Sequence, residues 1–74
     1  MANPLQEHFA EMLLERIAAD HYPSSTHMDM FESFAPPQQR LQYILMLMDR
    51  INGDANPSIP MMQRVQRLIM EFGT

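Results

Sequence analysis

Between Tyr43 and Met48 six apolar residues follow one another without a break, inside the segment LQYILMLMDRI that runs from Leu41 to Ile51. Wound as a helix, Leu41, Ile44, Leu45, Met48 and Ile51 fall on one face. Tyr43, Met46 and Leu47 fall on a second, roughly opposite one. A helix that is apolar around most of its circumference has to be covered on several sides. In a chain of 74 residues the available covers are the other helices or a second copy of the protein. The first face is expected to supply core. The second, Tyr43, Met46 and Leu47, is expected to be the hydrophobic contact with a protein partner.

The rest of the chain divides into helices at punctuation that can be read locally. Asn3 is a suitable N-cap, Pro4 suits the first helical position, and Gln6 stands where a capping-box partner would. The first helix is therefore expected over about 4–21. It stops before Tyr22-Pro23, because a proline disfavours the helical conformation in the residue preceding it. Leu5, Phe9, Met12, Leu13 and Ile17, widened by Ala10 and Leu14, make its apolar side. Glu7, Glu11 and Glu15 repeat at i, i+4 along the other side. Like charges at that spacing repel by a few tenths of a kcal/mol per pair, about 0.2–0.5, so the stripe belongs in water.

Ser24, Ser25 or Thr26 caps a short second helix over about 26–34, with Thr26 and Asp29 spaced as in a capping box. Met28, Phe31 and Phe34 share its face, and Ala35-Pro36-Pro37 ends it. Pro36 and Pro37 can also open the third helix, expected over 37–52, with Gly53 as a left-handed cap. A polar link from Asn52 to Pro57 leads to a fourth helix over 58–72. Ser58 caps it, Met61, Met62, Val65, Leu68, Ile69 and Phe72 form its apolar stripe, and Gly73 closes it. The wet stripe carries Gln63, Arg64, Arg67 and Glu71, with Arg67 and Glu71 as an i, i+4 pair. The predicted fold is all-α, a single domain built as a small bundle of four helices, up-and-down or orthogonal.

Composition bounds the function. The chain has no cysteine, which removes disulfides and thiolate metal sites. Small chains without those staples rely on helix packing or self-association. No apolar run reaches the 18 or so residues of a membrane span, and the N-terminus lacks the pattern of a signal peptide. Met1 reads as a genuine start, and a cytoplasmic protein is expected. The net charge is −4, and every basic residue is arginine. Residues 1–37 hold Arg16 against six acids, a balance of −5, whereas residues 38–74 hold four arginines against three acids, a balance of +1. An acidic first half suits a basic partner, and Glu7, Glu11 and Glu15 are the expected steering surface.

Several residues that could carry chemistry have simpler structural roles. Arg16 lies in the apolar arc of the first helix with Asp20 one turn on. Its stem is expected to cover the core edge while its head reaches water or Asp20, the sharper alternative being a partly buried ion pair. His8, His21 and His27 show no HExxH and no zinc-finger spacing, so no metal is expected. His27-Met28-Asp29-Met30 is the best soft-metal cluster among nine methionines, but methionine fills irregular cores and adapts to partners. Met46 and Met70 stand off the main apolar stripes. Ser24, Ser25 and Thr26 beside His21 and His27 are explained by capping, and no nucleophile elbow or phosphate-binding loop is present. No catalytic activity, cofactor or small-molecule substrate is expected. The reading is a small acidic helical module that works by contact with a protein partner or with itself. The alternative is a helix-turn-helix-like nucleic-acid-binding regulator reading through Gln63, Arg64, Gln66 and Arg67, although the 52–57 link exceeds the turn of that motif.

Overall fold

A computed structural model of the protein describes residues 3–72, with side chains through Glu71. Among the described residues the chain is all-α, with four helices and no strand: α1 (Pro4–Ala19), α2 (Ser25–Phe34), α3 (Pro37–Gly53) and α4 (Ile59–Phe72). They fall into two units, Met1–Leu41 and Gln42–Thr74, with the boundary inside α3.

In the first unit the helix ends are set by the residues that cap them. Asn3 Oδ1 accepts from the Gln6 amide at 2.7 Å, and α1 begins behind it with Pro4 in its first turn. Gln6 does not complete a capping box. Its Nε2 instead donates to the carbonyl oxygen of Phe34 at 2.7 Å, which satisfies an orphan acceptor at the end of α2. Of Ser24, Ser25 and Thr26, Ser24 is the cap of α2, accepting from the amides of Thr26 and His27 at 3.1 and 3.4 Å, and the other two lie in the first turn. The start of α3 is tied to α1 through Gln39 Nε2, which donates to the Glu7 carbonyl at 3.0 Å.

The core of this unit is Ala10, Leu13 and Ile17 from α1 with Met28 and Phe31 from α2. The buried stripe of α1 is thus rotated from the one the sequence suggests. Leu5, Phe9 and Met12 lie at the exposed edge, because α2 covers only one side of the broad apolar arc. Phe9 recovers part of its contact by meeting Phe34 edge to face, with ring centroids 5.5 Å apart. Arg16 is exposed, which removes the partly buried ion pair.

In the second unit Tyr43, Ile44 and Leu47 of α3 and Val65 and Leu68 of α4 are buried. Gly53 is the last residue of α3 and does not form a left-handed cap, since no glycine among the described residues has positive φ. The helix closes through the Asp54 amide, which donates to the Ile51 carbonyl at 3.3 Å, one residue tighter than the helical pattern. Ser58 caps α4 as expected, its Oγ accepting from the Met61 amide at 3.3 Å. The expected places of Phe72 in the apolar stripe and of Gly73 as a cap lie outside the described side chains and residues respectively.

Candidate functional site

The face of α3 that points outward is not the one the sequence suggested. Tyr43 and Leu47 are fully enclosed and Met46 is half-buried, whereas Leu45 is 55% and Met48 44% exposed. Tyr43, Met46 and Leu47 are therefore corrected from a contact surface to interior or near-interior positions. The cause lies in α3 itself: both faces are apolar, so its pattern has no strong direction, and its packing decides which one turns inward.

The outward residues line a groove between the later turns of α3 and the middle of α4. Leu45, Met48 and Ile51 form one wall and Met62, Val65 and Ile69 the other, with Asp49, Asn52 and Gln66 among them. The groove is open to solvent and has a volume of about 730 Å³. Its apolar walls are unusual for a surface, where large apolar side chains normally stand singly. Ile69 is 47% exposed, and Met62, Ile59 and Met70 are exposed on the same helix.

The spacing of these residues is informative. Along α3, Leu45, Met48 and Asn52 follow a 3-then-4 interval. Along α4, Ile59, Met62, Gln66 and Ile69 follow 3, 4 and 3. Each set stays within an arc of roughly 80° at 100° per residue. Each arc stands beside the buried residues of its own helix, Tyr43, Ile44 and Leu47 on α3 and Val65 and Leu68 on α4. Leu45, Met48, Met62 and Ile69 were assigned to core stripes from the sequence. The signal against this is in the amides: Gln66 stands inside the α4 set, and Asn52 ends the α3 set one residue before the helix stops.

Glu7, Glu11 and Glu15 are all exposed, on the first unit. On α4, Gln63, Gln66 and Arg67 are exposed and Arg64 is half-buried, and Gln66 also lines the groove. Arg67 Nε lies 3.9 Å from Glu71 Oε1, with both side chains more than half exposed. His8 and His21 are exposed and His27 is half-buried. Among the described residues no three of His, Cys, Asp and Glu stand close enough to hold a metal ion. Among them, too, no helix is long and apolar enough to cross a membrane. No family model, no curated protein and no solved structure matches this chain.

Proposed function

We propose that this protein acts by binding another protein chain through the groove between α3 and α4, without catalysing a reaction. The observation that carries this reading is the pair of walls, exposed Leu45 and Met48 on α3 and exposed Met62 and Ile69 on α4, around a groove of about 730 Å³. Leaving such side chains in water forgoes roughly 25 cal/mol for each Å² of apolar area that a partner would cover. Methionine on both walls lets the groove adjust its shape to what enters it. The exposed carboxylates of Glu7, Glu11 and Glu15 would raise the encounter rate with a basic partner rather than the strength of the complex.

A non-catalytic role is supported by the cap of α2. Ser24 Oγ is engaged as the cap of α2, which accounts for it without chemistry. The nucleic-acid reading has weaker support, since Arg64 is half-buried and Arg67 stands beside Glu71.

The test is a Leu45→Glu, Met62→Glu double variant compared with the wild type for association and for affinity capture from the native host. The variant should keep its helical circular dichroism and lose its partner. Association and capture both unchanged in a folded variant would refute the groove as the binding surface.

A further inference from the structure

Resting on the groove reading above, we infer that the segment the groove receives is a cationic amphipathic helix of another protein, with a Lys or Arg beside its apolar stripe to meet Asp49.

The groove's shape and walls select a helix. The groove is open to solvent, so whatever lies in it keeps one side wet. Small-molecule sites bury roughly 70–90% of their ligand, whereas an open groove suits a chain with an apolar side and a polar back. Both walls are helical, and Leu45, Met48, Met62 and Ile69 on them carry no hydrogen-bonding group. An extended segment laid there would press its amides and carbonyls against apolar side chains, with no sheet edge to pair them. A helix brings its backbone already paired. The lining runs from Leu45 to Asn52 on α3 and from Met62 to Ile69 on α4, about two helical turns in each case. Apolar anchors at i, i+4 and i+7 of an incoming helix match that length.

Charge decides the sign of the partner. Asp49 is the one charged residue among those lining the groove. It is exposed, and among the described residues no hydrogen bond or ion pair engages its carboxylate. At 100° per residue it stands about 40° around α3 from Leu45 and about 160° from buried Leu47, at the outer rim of that wall. The stem of a Lys or Arg on the flank of an incoming helix can therefore lie over Leu45 while its head reaches Asp49. An acid in the same place would meet a like charge. None of the chain's five arginines lines the groove; Arg50, next in sequence, is about 100° further round α3, and Arg67 stands beside Glu71. The lining of α4 offers the neutral amide of Gln66 instead, so the cation belongs on the flank that faces α3. The net charge of −4 and the exposed Glu7, Glu11 and Glu15 favour the approach of the same sign of partner at long range.

The experiment is a selection from a displayed library of helical peptides of about four turns, with varied apolar residues on the stripe and Lys, Glu or Gln in equal shares on both flanks. The bait is the full chain, with Leu45→Glu and, separately, Met62→Glu as counter-selections. Binders of the wild type should carry Lys in excess of Glu on one flank. An isolated Lys binder should lose about 2–5-fold in affinity on Asp49→Asn, as for an exposed ion pair, and the difference should shrink with added salt. Asp49→Lys should reverse the selection toward Glu. Glu11→Gln should leave the affinity near that of the wild type. Circular dichroism checks that each variant keeps its helices.

Binders without a Lys excess, or with an affinity that Asp49→Asn leaves unchanged, overturn the cationic partner while the groove stands as a binding surface. Equal losses in Asp49→Asn and Glu11→Gln overturn it too, by assigning the preference to net charge. If no peptide distinguishes the wild type from both counter-selection variants, the cationic partner and the groove reading fall together.

Discussion

Gln6 Nε2 donates to the carbonyl oxygen of Phe34 at 2.7 Å, joining the first turn of α1 to the last turn of α2 across 28 residues of sequence. The edge-to-face contact of Phe9 with Phe34 joins the same residue of α2 to α1 three residues further on. A polar tie and an aromatic one thus fix the same end of the first unit, where Leu5 and Phe9 would otherwise make few contacts.

Gln6→Ala should destabilise the fold by about 1 kcal/mol, the usual net value of an intramolecular hydrogen bond. Urea denaturation followed by circular dichroism gives the value. A midpoint equal to that of the wild type would show that water replaces the amide at the Phe34 carbonyl without loss.

The two faces of α3 predict opposite responses at neighbouring positions. Leu47 is fully enclosed, so Leu47→Ala should cost about 2–5 kcal/mol. Leu45 is 55% exposed, so Leu45→Ala should cost less than about 1 kcal/mol in dilute protein, where association contributes nothing. Equal losses at the two sites would contradict the burial pattern of α3.

Gly53 ends α3 with no positive φ, and a Cβ built on it meets nothing within 4 Å. Gly53→Ala should therefore stabilise the protein by about 0.4–1 kcal/mol, by restricting the unfolded chain. Thermal unfolding reads this as a higher Tm. A lower Tm would reveal the left-handed cap that the sequence suggested.

Nucleic-acid binding makes a separate prediction. A duplex should show no salt-dependent change in fluorescence anisotropy with the wild-type chain at low salt. The chain carries a net charge of −4, and Arg67 lies beside Glu71. A shift whose salt slope falls by about 2 in the Arg64→Ala, Arg67→Ala variant would return α4 to consideration as a reading helix.

Much of the candidate site was close to legible. The segment from Leu41 to Ile51 declared more apolar surface than one inward face requires, and the structure does expose part of it, at Leu45 and Met48. What could not be read was which part. Tyr43 and Leu47 are as apolar as the residues across the helix from them, so sequence periodicity weighs both faces alike. The amides Asn52 and Gln66 broke that tie in sequence as well as in space, but their weight is clear only once their neighbours are known to be exposed.

The sequence alone determined where the helices begin and end to within two residues, and that no strand forms among the described residues. The reason is that capping and proline act locally: Asn3, Ser24 and Ser58 satisfy amides two to three residues ahead of them. Pro23 and Pro36 restrict the residue on their N-terminal side. Only the tertiary structure decided which faces are inside. A helix has a preferred inward side to the extent that its sides differ in polarity. Where they do not, as in α3 and along the broad arc of α1, the choice passes to whatever packs against it.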